Sequence, residues 1–337
     1  MLDCPVTYIL RESDLSSTNE ICLELRQVTE KVVKNNLTDG ILFSGGLDTS
    51  IVAFEASKHT KLEAFTVAFE NSPALDVDYS KLMADLLKMN HTIYIFGEDE
   101  MHSAIHDVIK VLKVFDPMDV RNSVAAYVGL KAAKENGIKE IMTGDGLDEL
   151  LAGYSWLFEF NQMELKEYLS NMWQVVQFTS IPMAQSLGMI SKPPFLDPEF
   201  KSFAYSIEPK LMIRKEREKI WGKWIIRKAY EGLMPDEIVW RLKIPLEFGS
   251  GTTIFPKVFN KKITNSYFEK KAKKYLNVDK VTIRDKEHLF YYEIFRSLFG
   301  MPSEVFNDSE GKQCLYCKSK GGNLKRNFCK VCGAYPI

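Results

Sequence analysis

The chain has 337 residues, 45% of them apolar and 26% charged, with a formal net charge of -1. That is the profile of a globular protein long enough for one large domain and a small one. A charge so near zero excludes a global basic field that would draw the whole chain to nucleic acid, and no apolar run approaches the ~20 residues needed to span a bilayer. The opening residues Met1-Leu2-Asp3-Cys4-Pro5 lack a basic segment followed by an apolar one, so no secretory signal is read and a cytoplasmic location is expected.

Residues 1–20 read as a polar N-terminal extension. Ile21, Leu23, Leu25, Val28 and Val32 then predict a helix from about Ser17 to Lys34. Asn35-Asn36 and Asp39-Gly40 mark a turn. A short apolar strand, Ile41-Leu42-Phe43, leads into a glycine-rich loop and a helix over Thr49 to Ser57. The next strand is Ala64 to Phe69, followed by a helix from about Leu75 to Met89. A third strand, His91 to Phe96, precedes two helices, about Met101 to Lys113 and Ser123 to Asn136, the second ended by Gly137. Glu140 to Thr143 is a fourth strand, ending in Gly144-Asp145-Gly146. Strands and helices alternating in this way predict an α/β fold with a doubly wound, mainly parallel sheet. Ligands of such sheets sit beyond the carboxyl ends of the strands, where both glycine loops fall. From Leu147 to about Phe299 the pattern is mostly helical, residues 301–313 read as a linker, and residues 314–337 form a cysteine-rich tail.

Phe43-Ser44-Gly45-Gly46-Leu47-Asp48-Thr49-Ser50 has the parts of a phosphate cradle. Glycines let the backbone approach an anion and point N–H groups at it. Ser44 and Ser50 add hydroxyls, and the following helix adds its positive end. Asp48 would repel a bare phosphate, which points to a bridging Mg²⁺. No Gly-Lys-Ser/Thr closes the loop, so it is not a Walker loop. The bland alternative is a tight strand-to-helix turn rich in Gly and Ser. The second loop, Thr143-Gly144-Asp145-Gly146-Leu147-Asp148-Glu149, puts three carboxylates beside the same place. Its bland alternative is an acid-rich first helical turn, which the dipole favours.

These two loops, followed in order by Pro194-Phe195-Leu196-Asp197 and Pro235-Asp236-Glu237-Ile238-Val239-Trp240-Arg241-Leu242-Lys243, resemble the synthetase domain of asparagine synthetases, within the PP-loop ATP pyrophosphatases. The resemblance covers roughly residues 20 to 260 and places an ATP pyrophosphatase domain over residues 21–300. It implies ATP and Mg²⁺ as cofactors and a two-step reaction. A substrate carboxylate is adenylated with release of pyrophosphate, and ammonia or an amine then displaces AMP. It further implies that Ser44, Gly45, Gly46 and Ser50 hold pyrophosphate, that Asp48 and Asp148 bind Mg²⁺, and that Phe43, Val67, Thr143 and Gly144 line the adenosine pocket. Lys243 would neutralise charge growing on the phosphates. Arg121 matches an arginine near the carboxylate substrate, and Asp145 occupies a catalytic carboxylate position.

Three departures stand out. The glutamine-dependent members carry a glutaminase whose nucleophilic cysteine follows the initiator Met; here residue 2 is Leu and Cys4 is not that nucleophile. The nitrogen is therefore expected from free ammonia, a separate glutaminase subunit or an amine. The family has Glu where Asp145 stands, and two threonines where Met118 and Asp119 stand, which puts aspartate as substrate in doubt.

Cys314-Leu315-Tyr316-Cys317, eleven residues, then Cys329-Lys330-Val331-Cys332 is the ligand set of a closed Zn²⁺ site, with an iron–sulfur cluster as the alternative. Around it stand Lys312, Lys318, Lys320, Lys325, Arg326 and Lys330 with no acid. The ribbon is either a metal-stapled cap or an RNA-binding surface. The second option supports a competing reading, a tRNA-modifying ATP pyrophosphatase. The five histidines form no ligand pattern.

Overall fold

Short apolar runs flanked by glycine give the sheet its middle. The computed structural model describes residues 12–173, 176–307, 309, 311–320 and 327–336. β1 (Gly40–Leu42) lies between β2 (Glu63–Phe69) and β4 (Glu140–Met142), with β3 (Asn90–Phe96) outside β2 and β5 (Ile190–Lys192) outside β4. All four ladders are parallel, with Ile41 opposite both Ala64 and Met142. Successive strand residues face opposite ways, and the two cores follow that alternation. Ile41, Ala64 and Met142 join one apolar cluster, and Phe65, Val67 and Ile141 join the other.

Helices close both faces. α1 (Glu12–Asn35) and α2 (Leu47–Ala56) pack on the first; α3 (Asp76–Leu87) follows β2, and α4 (Glu98–Leu112) and α5 (Pro117–Glu135) cover the second. Asp116 caps α5, accepting from Met118 N, and Pro117 supplies its first turn, the arrangement proline favours. The expected α/β class with a doubly wound parallel sheet is present.

Several boundaries differ from expectation. Phe43 and Thr143 stand just past their strands, as the first residues of the loops. The region after Leu147 contains β5 and an antiparallel hairpin of β6 (Arg214–Glu216) and β7 (Lys219–Trp221), neither of which the helical pattern announced. α1 begins at Glu12, inside the anticipated extension, whose residues 1–11 lie outside the described residues. Pro302–Val305 is a helical turn within the anticipated linker. No described helix is long and apolar enough to cross a membrane.

Candidate active site

The first loop folds on itself at the end of β1. Phe43 N donates to Phe65 O at 2.8 Å. Thr49 Oγ1 accepts from Ser44 N at 3.3 Å, and Ser44 Oγ accepts from Gly46 N at 3.2 Å. Gly45 has φ +62°, and a Cβ there would lie 2.3 Å from Ser80 N, so only glycine fits both the backbone and the space. Ser50, in the first turn of α2, is fully buried, and its hydroxyl has no partner.

The second loop meets it face to face. A Cβ on Gly144 would lie 3.0 Å from both Asp48 Cβ and Thr49 N. Asp145 Oδ2 accepts from Thr143 Oγ1 at 2.9 Å and from Ser180 Oγ. Burial raises the pKa of Asp145 while these two hydroxyls oppose the rise. Asp148, at the start of the short helix α6 (Leu147–Leu150), is 6% exposed.

A third segment, unremarked in the sequence, completes the cluster. A Cβ on Gly222 would lie 2.2 Å from Ala152 O, so the chain after β7 passes directly against the second loop. Lys223 N donates to Leu151 O at 3.0 Å. Lys223 adopts a left-handed backbone (φ 56°, ψ 31°) at the start of the helix that follows, a conformation uncommon for residues other than glycine. Its Nζ lies 2.6 Å from Asp48 Oδ1 and 2.7 Å from Asp148 Oδ1, and its side chain is 2% exposed. The ammonium of Lys223 thus bridges one oxygen of each carboxylate. Lys243 Nζ donates to Asp148 Oδ2. Burial works against the charge on Asp148, but Lys223 and Lys243 outweigh it and hold the carboxyl below the ordinary range. On Asp48 burial dominates and raises the pKa, against the pull of Lys223. Burial disfavours charge on Lys243 too, and Asp148 and Asp48 more than compensate, keeping it protonated.

Arg241 locks this lysine segment to the first loop. It donates to Asp76 Oδ1 at 2.7 Å and to Ser44 O at 3.3 Å, and its guanidinium sits 3.8 Å from the Tyr79 ring centre.

The asparagine synthase family profile matches residues 24–187 and 162–314, which together reach across most of the chain. The chain belongs to the asparagine synthase family. It is 31% identical over 255 residues to a glutamine-hydrolyzing asparagine synthetase of Triphysaria versicolor, covering 68% of this chain and 43% of that protein. A Zea mays asparagine synthetase is 29% identical over 317 residues, 85% of this chain and 53% of its own. The Arabidopsis thaliana asparagine synthetase 2 is 30% identical over 253 residues. The chain thus spans about half the length of the relatives it matches.

The family implies ATP and magnesium, and the residues fit them. The buried, partnerless Ser50 hydroxyl is a polar group that a phosphate would satisfy, and the facing carboxylates of Asp48 and Asp148 are oxygen donors of the kind magnesium takes. Ser44, Gly45, Gly46, Asp48, Ser50, Thr143, Gly144, Asp148 and Lys243 are brought together around them.

Three other anticipated residues have packing or pairing partners of their own. Phe43 belongs to the core on the α1–α2 face, and Val67 to the core on the α5 face. Arg121, in the first turns of α5, donates Nε to Glu247 at 2.5 Å and Nη1 to Glu287 at 2.9 Å, so two carboxylates already compensate its charge. Glu287 also accepts from Tyr291, 2.8 Å away.

The tail packs beneath the start of α5. The Sγ atoms of Cys314, Cys317, Cys329 and Cys332 all lie within 4.8 Å of one another and are buried. Cys314–Cys332 and Cys317–Cys329 are each separated by 3.7 Å, close to the ~3.8 Å edge of a tetrahedron with Zn–S of about 2.3 Å. Phe115 N donates to Val331 O at 2.7 Å, and Arg284 donates to Cys332 O at 2.6 Å and Gly333 O at 2.8 Å. Of the basic residues here, Lys318 and Lys320 donate to Leu315 O and Asn307 O; Lys325 and Arg326 lie outside the described residues.

Proposed function

We propose that this chain is an ATP-dependent carbon–nitrogen ligase that adenylates a substrate carboxylate and passes the acyl group to ammonia or an amine. The observation that carries the reading is the convergence of Asp48, Asp148, Lys223 and Lys243 on one partly buried point between two glycine loops. A carboxylate oxygen of the substrate bonds to the α-phosphorus as the bridge to the β-phosphate breaks. Pyrophosphate leaves into the cradle of Ser44, Gly45, Gly46 and Ser50. Magnesium held with the nucleotide by Asp48 and Asp148 supplies positive charge against the phosphates. Lys243 and Lys223 offset the charge that grows on the leaving pyrophosphate, and such preorganised charge is commonly the largest catalytic contribution. Ammonia or an amine then attacks the acyl carbon, AMP departs, and Asp145 accepts the proton released. Burial favours that role, because it raises the carboxylate's proton affinity.

Met118 is 48% exposed on the first turn of α5, and Asp119 follows it. An apolar side chain and an anion there suit a less polar acyl group, or one carrying a cation. The nitrogen donor in this reading is ammonia, free or released by a glutaminase, or an amine. A structural zinc in the cysteine cluster joins the tail to α5. An RNA-directed reading has less support, because the described Lys318 and Lys320 bind carbonyls of their own chain.

The test is radiolabelled pyrophosphate–ATP exchange by zinc-loaded protein against a panel of carboxylates, aspartate first, with bulk tRNA as a separate arm. Carboxylate-dependent exchange lost in Asp48→Ala supports the reading. Exchange that needs tRNA instead contradicts it.

A further inference from the structure

If the proposed reading is right, Asp48 and Asp148 must hold a divalent cation during the reaction, and the inference here rests on that. In this structure their facing oxygens are instead bridged by a lysine. Lys223 Nζ sits 2.6 Å from Asp48 Oδ1 and 2.7 Å from Asp148 Oδ1. Magnesium takes oxygen ligands at about 2.0–2.1 Å in a near-octahedral shell. An ammonium touching both oxygens occupies the same position, so the two cannot be there together.

The backbone keeps Lys223 at this post. Its left-handed conformation, its N–H bond to Leu151 O and the close passage of Gly222 against Ala152 O leave the side chain as the moving part. Charge makes the arrangement selective. Asp48 and Asp148 are balanced by Lys223 and Lys243, while the neighbouring Arg227 and Glu149 are of opposite sign and both buried. A bare divalent cation entering this partly buried cluster would add two positive charges beside Lys223, Lys243 and Arg227, which is costly where water reaches only part of the site. A cation arriving on a polyphosphate brings its own counter-charge, and the phosphate oxygens give Lys223 a new partner.

We propose that Lys223 is a resident counter-ion which fills the divalent-metal position in the nucleotide-free protein, so that metal is admitted only together with the phosphates of ATP. Lys223 acts as a positioning residue: it holds the two carboxylates together when empty and yields to the metal on nucleotide binding.

The test is titration of zinc-loaded full-length protein with Mn²⁺, following the free-ion paramagnetic resonance signal, without nucleotide. Wild type should leave the signal unchanged up to millimolar metal. Lys223→Gln, or Lys223→Met where the longer apolar stem is needed for folding, should bind one Mn²⁺ at least ten-fold more tightly, and the added Asp48→Asn should remove the gain. Nucleotide-free wild type that binds Mn²⁺ as tightly as the Lys223 variants overturns the proposal, whatever the variants' stability. A folded Lys223→Gln protein with no gain overturns it as well. A non-hydrolysable ATP analogue separates this from the ATP reading. Wild type should take up Mn²⁺ with the analogue present. Failure there while Lys223→Gln still gains metal would sink the ATP reading and leave the lysine's role standing.

Discussion

A methyl group on Gly153 would lie 1.7 Å from Oδ1 of Asp148. The backbone of Gly153, whose N–H donates to Asp148 O at 2.9 Å, therefore forms a wall against the carboxylate that faces Lys223. Gly153→Ala must push Asp148 aside. Overpacking of this kind costs about 1–3 kcal/mol. The variant should fold with a lowered unfolding midpoint, and pyrophosphate–ATP exchange should drop at least ten-fold. Unchanged exchange would show that Asp148 has no fixed place in the chemistry.

Lys243 and Asp145 should fail at different steps. Lys243→Ala removes a charge that matters most as pyrophosphate departs, so kcat for exchange should fall by about 10²-fold with a much smaller change in KM for ATP. Asp145→Asn keeps the hydrogen bonds to Thr143 and Ser180 within reach but cannot take a proton. Exchange should persist while amide formation is lost, read by mass spectrometry of the product.

Stability should carry the mark of Glu287. Burial pushes its carboxyl up to about 7 from the ordinary 4.5, against the pull of Arg121 and Tyr291. A folded-state pKa above the unfolded value means the folded chain holds the proton longer. Its contribution is fully present below about pH 4.5 and is lost as pH rises through about 7. In urea unfolding, the stability of wild type relative to Glu287→Gln should therefore fall between pH 5 and pH 8. A relative stability that rises over that interval would contradict the assignment.

Removing metal from the cysteine cluster should be felt at α5. Chelation, or Cys317→Ser, takes away the staple that fixes the carbonyls of Val331, Cys332 and Gly333 against Phe115 and Arg284. The thermal midpoint should drop by several degrees, and hydrogen exchange at the Phe115 amide should accelerate. Protection that survives chelation would mean that packing alone holds the tail.

Four of the five sheet strands were legible because each is an apolar run ended by glycine or a turn, and the two glycine loops follow two of them. β5 was not legible. Ile190-Ser191-Lys192 has one apolar residue, itself 53% exposed, and the segment becomes a strand through its ladder to β4. Lys223 was invisible for a different reason. Its partner Asp48 lies 175 residues away, and among 44 lysines and arginines nothing local marks it except a preceding glycine and a buried apolar helix after it. The pairing of Arg121 is likewise non-local, with Glu247 and Glu287 distant by 126 and 166 residues. The motifs marked the two loops; the fold decided which charges meet between them.

In the proposed reaction the substrate's carboxylate attacks the α-phosphate of ATP. Heavy-oxygen-labelled carboxylate, in whichever substrate supports exchange, tests it directly. One labelled oxygen is expected in the AMP released, and none in the pyrophosphate. Label in inorganic phosphate with ADP as the other product, or AMP without label, would contradict it.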